Sequence, residues 1–424
     1  MNERKRKDLI LIGGGNRGKR YTDIAASLDG CYRVVAVAEP IRERREDIAR
    51  IHNIPPEHVY ESWEALLARP RFADAAIIAT MDRDHFAPAL QAIRQGYPLL
   101  LEKPVSPDPV ECRLLEEEAR RCGVPVLVCH VLRYTPFFRA LRELIDRGEI
   151  GEVVNIQHAE CVGTIHQSHS FVRGNWCNSR ESSPMLLQKS CHDIDILQWL
   201  LGERRCLRVQ SFGSLRYFTP ENAPEGAPEF CIDGCPVGDT CPYNAVKLYL
   251  KSDSDWFRTT ATHLPHPEDA DVERAIRTTD YGRCVFGCHN DVVDHQVVNM
   301  EFEGGATVSF TMCAFTYPAR RIRIMGTLGE ISAQMDDPEI QIFDFQSGKT
   351  RRVEVSGLVH DDSINGGHGG GDGGIMRAFY RLLCGEAPEL THNLTESCES
   401  HRIVFAAERS RLTGQVVEME NFSL

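Results

Sequence analysis

The stretch "DLILIGGGNRGKRYTDIAASL", residues 8–28, determines the fold that we expect for this chain. A short apolar run ends in glycines, a helical pattern follows, and Gly13, Gly15 and Gly18 have the G-x-G-x-x-G spacing. A second strand, "YRVVAVAEP", ends on Glu39, about 20 residues after the glycines. In this arrangement the glycine loop admits a pyrophosphate at a helix N-terminus, and the acid binds the adenosine ribose. The sequence therefore predicts a dinucleotide-binding Rossmann domain.

The acidic residue that ends the second strand also indicates which dinucleotide binds. A carboxylate at Glu39 would repel a 2′-phosphate, so NAD is favoured over NADP, although Arg42, Arg44 and Arg45 are close enough to weaken this preference. The other predicted cofactor contacts lie beside the loop or near later strand ends: Asn16, Arg17, Thr80, His85, Glu102 and Lys103.

Strand and helix patterns alternate up to about residue 130 and predict a parallel sheet. In such sheets ligands bind beyond the carboxyl ends of the strands. The run "LLLEKP", residues 99–104, ends there, so Lys103 should point into the crevice where a nicotinamide would lie. Pro104 fixes the backbone directly after it. We assign residues 1–130 to the NAD-binding domain.

The pattern changes after residue 130. Strand-like segments joined by tight turns, such as the one at Gly304–Gly305, predict an α+β domain with a large, mostly antiparallel open sheet over residues 131–424. A cysteine-rich insertion occupies about residues 225–290. The whole chain is thus expected to be α/β, with a Rossmann domain followed by this second domain.

Charge and composition exclude several classes of partner. The net charge of −13 argues against a nucleic-acid partner, because phosphate binding requires a basic surface. No stretch approaches the length of a membrane span, and the apolar run near residue 10 is too short for a signal peptide. With 16 cysteines and no leader, a cytoplasmic location with reduced thiols is expected.

The clustered cysteines predict a metal site. Cys231, Cys235 and Cys241 lie close together in the sequence, and Cys284 or alternatively Cys288 would complete a tetrahedral thiolate set. A structural zinc that stabilises the insertion is the leading interpretation. Iron–sulfur ligation and free thiols are the alternatives.

Six motifs in order resemble the Gfo/Idh/MocA family, the relatives of glucose–fructose oxidoreductase and inositol dehydrogenase. They are the glycine fingerprint at 13–18, "AEP" at 38–40, "EKP" at 102–104, "LRYTPF" at 132–137, "HDID" at 192–195 and "MGTLGE" at 325–330. The resemblance implies NAD(P)-dependent chemistry on a hydroxyl of a sugar or cyclitol, and assembly into a homo-oligomer, a dimer or tetramer. It also implies that Lys103 contacts the substrate and the nicotinamide ribose.

Alcohol oxidation requires a base and a donor that holds the oxygen, and His192, Lys103 and Lys189 are the predicted catalytic residues. Ser190 as N-cap, with Asp193 in a capping box, would place His192 in the first turn of a helix. The commoner family pattern has an aspartate four residues before the active-site histidine, where this chain has Gln188.

Polar side chains of the second domain provide the predicted substrate contacts. They are Arg133, Tyr134, Arg173, Asn175, Trp176, Asp195 and His295. The leading function is an NAD-dependent oxidoreductase acting on a sugar, sugar derivative or cyclitol. The alternatives are an NAD-dependent glycosidase that oxidises transiently, eliminates and returns the hydride, and a non-catalytic nucleotide-binding regulator.

Overall fold

A computed structural model describes residues 5–359, 368–386 and 393–422. Two β-sheets organise these residues, one of six strands and one of nine. None of the helices in the described ranges combines the length and the apolar character that crossing a membrane requires.

The six-stranded sheet is parallel, with strand order β3-β2-β1-β4-β5-β6. Its strands are β1 Lys7–Ile12, β2 Tyr32–Ala38, β3 Val59–Tyr60, β4 Ala75–Ile78, β5 Leu99–Leu101 and β6 Val126–Val128. The helices between them are α1 Asn16–Ser27, α2 Arg42–His52, α3 Trp63–Leu67, α4 Phe86–Arg94 and α5 Pro109–Cys122. This is the predicted Rossmann architecture.

Local sequence explains these elements well. The central strands β1, β4 and β5 are apolar because helices cover both faces of the sheet, and β4 and β5 are fully buried. Helix α5 begins at Pro109 after Asp108, whose carboxylate accepts a hydrogen bond from the Val110 amide, and it ends at Gly123 in a left-handed conformation.

The second domain contains the nine-stranded sheet, with strand order β14-β13-β12-β11-β7-β10-β9-β8-β15. Its strands are β7 Val153–Cys161, β8 Cys206–Ser214, β9 His295–Phe302, β10 Thr307–Cys313, β11 Ala319–Gly326, β12 Gly329–Gln334, β13 Glu339–Asp344, β14 Lys349–Glu354 and β15 Val417–Glu418. Only the pairing of β10 with β7 is parallel among the strand pairs of this sheet that the structure describes. The predicted mostly antiparallel sheet is confirmed.

The helices after β6 are α6 Pro136–Asp146, α7 Thr164–His166, α8 Met185–Gln188, α9 Cys191–Leu200, α10 Asp255–Thr262, α11 Asp269–Thr278, α12 Val355–Leu358, α13 Gly371–Leu383 and α14 Leu394–Thr413, with α10 and α11 in the insertion. Helix α14 packs on β8 and so covers one face of the nine-stranded sheet. The other face is open, and polar side chains of β7, β10, β11 and β12 line a shallow groove of about 490 Å³ on it.

The last helices of the chain return to the first domain. Ile375 and Phe379 of α13 pack in one core with Leu11 and Tyr21 of the Rossmann domain. Helix α14 contributes Cys398 to the core on the other side of the parallel sheet. The two domains therefore share packing, which the order of motifs along the sequence did not indicate.

The glycine loop after β1 packs without space for side chains. Gly13 has a φ of +92°, and a Cβ there would lie 2.5 Å from the carbonyl oxygen of Ala79. A Cβ at Gly18, in the first turn of α1, would lie 1.9 Å from the carbonyl oxygen of Gly13. Glycine at these positions lets α1 start directly against the sheet edge.

We expect Gly18→Ala to lower the free energy of unfolding by about 1–3 kcal/mol, because the added methyl group must displace backbone. This loss should exceed the gain of about 1 kcal/mol that alanine brings to a helix. Gly357→Ala is the control, since its Cβ would approach nothing closer than 4.0 Å. Denaturant titration measures both, and an unchanged midpoint for Gly18→Ala would contradict this packing.

Candidate active site

A cavity of about 740 Å³ lies between the carboxyl edge of the parallel sheet and the second domain. It brings together residues that are far apart in the sequence. The predicted site residues that line it are Gly15, Asn16, Arg17, Thr80, Glu102, Lys103, Asn175, Trp176, Lys189 and His192.

The start of α1 fits the pyrophosphate of a dinucleotide. Gly15 precedes the helix, no side chain caps it, and its first turn has no acidic residue. The amide groups of a first helical turn have no partner within the helix and attract anions. The amides of the first turn of α1 therefore provide, at the cavity wall, the hydrogen-bond donors that a pyrophosphate needs.

Glu39 is held at the end of β2, at the rim of the glycine loop. Its carboxylate accepts hydrogen bonds from the amides of Gly14 (2.6 Å) and Ile41 (2.9 Å). Arg42 and Arg45 are engaged elsewhere, whereas Arg44 lines the cavity. Arg42 pairs with Glu46, Arg44 donates to the carbonyl oxygen of His263, and Arg45 pairs with Glu61.

Arg17 and Glu102 form part of one ionic cluster. The Arg17 guanidinium lies 2.7 Å from carboxylate oxygens of both Glu102 and Asp372, and the Tyr21 hydroxyl also donates to Glu102. Burial alone would raise the pKa of Glu102, but the charges of Arg17 and Lys103 outweigh it and lower that pKa. Glu102 is therefore an anion, and Asp372 lies in the first turn of α13.

Lys103 follows β5 and lies directly before a cis Lys103–Pro104 peptide bond. The ring nitrogens of His85 lie 2.6 Å and 3.1 Å from the carbonyl oxygens of Pro104 and Thr80. His85 therefore ties two strand ends together behind the cavity wall, whereas the sequence predicted a cofactor contact for it.

The Lys103 ammonium group reaches across to the second domain and donates to the carbonyl oxygen of Gln188 (2.6 Å). His192 lies in the first turn of α9 and is 6% exposed. The predicted capping box is wrong, because Ser190 makes no capping bond and Asp193 pairs elsewhere. His192 is nevertheless in the predicted helical turn, and its ring stands edge-on to that of His130 at 5.8 Å.

Asp193 is the centre of a buried ionic network next to His192. One of its oxygens lies 2.8 Å from Nε2 of His158 and 2.9 Å from Nε of Arg320. Nε of Arg320 also lies 2.8 Å from Glu160, whose other oxygen is 3.0 Å from the Lys189 ammonium group. Burial would raise the pKa of Asp193, but the positive charge of Arg320 and the His158 bond outweigh it and lower that pKa.

Two side chains in this part of the cavity are shifted towards their neutral forms. Burial lowers the pKa of Lys189, and Glu160 only partly opposes this effect. Burial also lowers the pKa of His166 well below its usual value, and the charges of Lys189, Arg320 and Lys103 add to the shift. His166 is thus neutral and borders the same group of cations.

Gln188 occupies the position where the family pattern has aspartate, and Lys103 binds its main-chain carbonyl oxygen rather than its side-chain amide. The amide nitrogen donates to the carbonyl oxygens of Trp176 (2.9 Å) and Ser183 (2.8 Å). Trp176 lines the cavity, and its indole nitrogen donates to Asp82. Gln188 therefore fixes the loop that carries Trp176.

Arg133 and Asp195, both predicted substrate contacts, do not line the cavity. The Arg133 guanidinium binds the Asp195 carboxylate through two hydrogen bonds of 2.7 and 2.8 Å, and Asp195 is fully buried. Arg133 also pairs with the half-exposed Glu396. The two residues satisfy each other's charge, so the structure assigns them to packing between α9 and the segment before α6.

The structure also places three other predicted substrate residues away from the cavity. Tyr134 is buried in the core of the first domain. Arg173 is buried and donates to the carbonyl oxygens of Arg283 and Tyr243, both at 2.8 Å. His295 begins β9, its ring is 44% exposed, and it pairs with Asp294. Arg173 keeps one buried terminal nitrogen without a hydrogen-bond partner, but it does not line this cavity.

The predicted zinc site is not supported. Cys231, Cys235, Cys241 and Cys284 do line one small cavity, but no group of three or more Cys, His, Asp or Glu side chains among the described residues could hold a metal ion. Burial raises the pKa of Cys241 and Cys284, and that of Cys288 to about 12, so these are protonated thiols. They pack with aromatic rings, and all 16 cysteines are free.

The cysteine-rich insertion has a role that the sequence analysis did not predict. Trp256 and Thr260 of α10, together with His263 and Tyr281, form part of the cavity wall. The Thr260 hydroxyl accepts a hydrogen bond from the Asn16 side chain at 3.2 Å. The insertion therefore closes the cavity over the glycine loop, and no motif in residues 225–290 indicated this contact.

Two family sequence profiles match the chain. One, described as "Oxidoreductase family, NAD-binding Rossmann fold", matches residues 7–130. The other, described as "Oxidoreductase family, C-terminal alpha/beta domain", matches residues 142–419. The chain belongs to the Gfo/Idh/MocA family. Its members named below are dehydrogenases or oxidoreductases, so this protein is an NAD-binding oxidoreductase.

Individual members of the Gfo/Idh/MocA family are similar over different shares of the chain. The putative oxidoreductase YteT of Bacillus subtilis is 28% identical over 77% of this chain and 76% of its own length. An inositol 2-dehydrogenase of Streptomyces avermitilis is 30% identical over 53% of this chain and 61% of its own length. A solved inositol dehydrogenase homologue from Azotobacter vinelandii, complexed with NAD+, has a TM-score of 0.70 at 18% identity, covering 98% of both chains, which shows the shared fold.

Arg20, Asp82, Arg320 and Asp372 are charged residues of the cavity wall to which the sequence analysis assigned no function. Arg320 follows the "TYP" turn at the start of β11, in a run of two arginines of which only Arg320 lines the cavity. Asp372 lies at the glycine-rich start of α13. The alternation of side chains along a strand places Arg320 and Arg321 on opposite faces of the sheet. It does not indicate which of the two faces meets the active site.

We expect Asp195→Ala to lower the free energy of unfolding by about 3 kcal/mol, because it leaves Arg133 buried beside only one, half-exposed partner. Glu396→Gln is the matched control, and its loss should stay below about 1 kcal/mol. Substrate KM should not change in either variant. A raised KM with unchanged stability for Asp195→Ala would restore its predicted role in substrate binding.

His401 should make the protein acid-sensitive. Its Nε2 accepts a hydrogen bond from the Val105 amide, two residues after Lys103, and burial lowers its pKa to about 3. Since the unfolded chain binds the proton near pH 6.5 and the folded chain does not, stability should fall as pH drops below 6.5, by about 1.4 kcal/mol per pH unit from this residue. Unfolding titrations at pH 6 and pH 5 should show a smaller decrease for His401→Gln than for the native chain, and equal decreases would contradict the assignment.

Proposed function

We propose that the protein oxidises or reduces a hydroxyl group of a sugar, sugar derivative or cyclitol, with NAD as the hydride carrier. The observation that carries the proposal is the meeting of Lys103 and His192 in the cavity that the glycine loop borders. Relatives named inositol 2-dehydrogenase support a polyhydroxylated substrate. A homologue solved with NADH and myo-inositol points in the same direction.

His192 is the base in this proposal, and Lys103 is the hydrogen-bond donor. When bound, NAD supplies the hydride acceptor. The Lys103 ammonium group uses one donor on the Gln188 carbonyl, which leaves two that can hold the substrate oxygen. His192 then takes the hydroxyl proton, because the first turn of a helix disfavours an imidazolium ion. The predicted roles of both residues remain proposals.

NAD is the preferred cofactor in this proposal, with NADP disfavoured. The Glu39 carboxylate stands at the end of β2, where the ribose of a bound dinucleotide would lie, and would repel a 2′-phosphate. Arg42 and Arg45 are paired with Glu46 and Glu61, and Arg44 is held by His263. Each of these three arginines already has a partner among the described residues, and that partner would compete with a phosphate.

A redox-neutral glycosidase is the second candidate, and Lys189 favours it. Oxidation of a hydroxyl acidifies the neighbouring C–H group, a base removes that proton, and the aglycone leaves by elimination. Water then adds to the resulting double bond, and the hydride is returned to the carbonyl carbon. This sequence needs a second base beside His192. Lys189 lines the same cavity, and burial lowers its pKa, which makes its deprotonation easier than that of an exposed lysine. The regulator alternative has no comparable support, because Lys103 and His192 both line the cavity.

The deciding experiment measures NADH absorbance with purified protein, NAD+ and a panel of sugars, polyols and aryl glycosides, while sugar release is followed in parallel. NADH formed in proportion to substrate establishes the dehydrogenase. Sugar release without NADH establishes the glycosidase. If neither occurs although NAD binds, the proposed function is wrong.

We expect Lys103→Met and His192→Asn each to lower kcat by about 10²- to 10⁴-fold, the range for a lost proton-transfer or oxygen-holding group. NAD affinity should change much less, which fluorescence titration with NADH measures. His295→Asn is the matched control for the histidine, because that ring lies outside the cavity and should leave kcat unchanged. Normal turnover in both active-site variants would exclude this assignment.

Two further expectations remain predictions from the sequence. We propose a homo-oligomer, a dimer or tetramer, that uses the open face of the nine-stranded sheet, and a cytoplasmic location. The exposed polar groove of about 490 Å³ on that face is the surface such an assembly would cover.

A further inference from the structure

Arg320 presents an unused hydrogen-bonding fork to the active-site cavity. It lies at the start of β11, lines the cavity, and its side chain is 13% exposed. Its ion pairs with Asp193 and Glu160 both use Nε. Among the described residues, no hydrogen bond or ion pair uses its two terminal nitrogens. The guanidinium is thus anchored from behind and keeps its two outer nitrogens for a ligand.

Lys189 and Lys103 add to the positive charge at this end of the cavity. The Lys189 ammonium group uses one donor on Glu160, and that of Lys103 uses one on a neutral carbonyl oxygen. The compensating carboxylates of Glu160 and Asp193 are buried behind the cations, and neither lines the cavity.

Two further carboxylates lie near this end: Asp336, which is exposed, acts on Arg320 and does not line the cavity, and Asp82. Asp82 lines the cavity, but its oxygens accept hydrogen bonds from the Trp176 indole, Ser182 and Ser183 at 3.1, 3.1 and 2.6 Å. The charged groups that face the substrate with unused hydrogen-bonding capacity are therefore cationic donors.

We propose that the substrate is an acidic sugar or polyol, such as a uronate or aldonate, whose carboxylate is bound by the Arg320 fork together with Lys189. This inference rests on the proposed function and narrows its substrate class. A carboxylate is planar and accepts two parallel hydrogen bonds, which matches a guanidinium better than a single hydroxyl does. The Lys103–His192 pair would then act on a hydroxyl of the same molecule.

Neutral side chains border these cations and limit what else could bind there. His166 is neutral and its ring stands edge-on to Trp256 at 5.2 Å, and Phe171 packs on the other side. A carboxylate placed against the outer nitrogens of Arg320 would have His166 and the rings around it as neighbours, with Asp193 and Glu160 behind the guanidinium. Such surroundings strengthen a charged hydrogen bond because they exclude water.

The test compares matched substrate pairs with the NAD-loaded enzyme: galacturonate with galactose, glucuronate with glucose, and gluconate with glucitol. We expect kcat/KM to favour the acid of the productive pair by about 10- to 100-fold, the range for one charged hydrogen-bonded contact. Glucose 6-phosphate is included as a phosphate-bearing competitor. A preference for the neutral partner or for the phosphate would overturn the inference while leaving the proposed function in place.

Variants identify the residue responsible. Arg320→Lys keeps a cation beside Asp193 and Glu160 but removes the fork, and should reduce the acid-to-neutral ratio at least about 10-fold. Arg321→Lys is the matched control, since that neighbouring side chain lines the groove on the open face of the sheet instead. A ratio that stays unchanged in Arg320→Lys would overturn the assignment.

Calorimetry separates this inference from the proposed function. If no pair yields NADH, the dehydrogenase proposal fails, but galacturonate, glucuronate and gluconate can still be titrated into the NAD-bound protein. Binding that is lost in Arg320→Lys and kept in Arg321→Lys supports the carboxylate site independently of turnover. Absence of binding for all three acids would overturn it.

Discussion

A buried carboxylate, that of Asp193, sets the geometry on which the substrate end of the active site depends. A buried charge is costly unless it is paired and hydrogen-bonded. Asp193 meets this requirement through His158 on β7 and Arg320 on β11, which fixes the first turn of α9 against two neighbouring strands. His192 precedes Asp193 in that turn, so the ion network determines where the proposed base stands.

The other half of the site depends on how the segment after β5 is held. Lys103 and Pro104 leave the parallel sheet, and the His85 ring and the His401–Val105 hydrogen bond tie this segment to its own domain and to α14. Lys103 then donates to the second domain at Gln188. Because α14 also packs on the nine-stranded sheet, one helix links the positions of both catalytic groups.

The sequence predicted the elements whose signals are local. The glycine spacing, the acid at Glu39 and the alternating strands and helices specify the Rossmann domain from short stretches, and the paired glycines at 304 and 305 mark the β9–β10 hairpin. Lys103 and His192 were placed at the site because family motifs carry them, and Lys189 because it lies three residues before His192. These predictions needed little knowledge of contacts between distant residues.

The predictions that failed concern polar residues whose partners are distant in the sequence. Arg133 and Asp195 are 62 positions apart, and nothing local shows that they neutralise each other and not a substrate. The clustered cysteines face a similar ambiguity, since thiols suit both a metal and an apolar core. The sequence analysis did not predict Arg320 as a site residue, because the carboxylates that hold it, Asp193 and Glu160, lie on other elements of the fold. Residue type alone does not show whether a charged side chain is already paired within the protein or can bind a ligand. The contacts in the folded structure show this.

Gln188 connects this point to the chemistry. An aspartate at its position would place a negative charge beside Lys103, whereas the amide is neutral and binds the carbonyl oxygens of Trp176 and Ser183. The Lys103 ammonium group then donates to a main-chain carbonyl oxygen, and the negative charge near it is that of Glu102, which is already paired with Arg17. A glutamine also cannot accept a proton, which leaves His192 and Lys189 to do so. Glutamine in place of the family's aspartate at position 188 therefore has two effects. It removes a proton-transfer group, which constrains the reaction, and it removes a negative charge, which constrains the charge of the substrate.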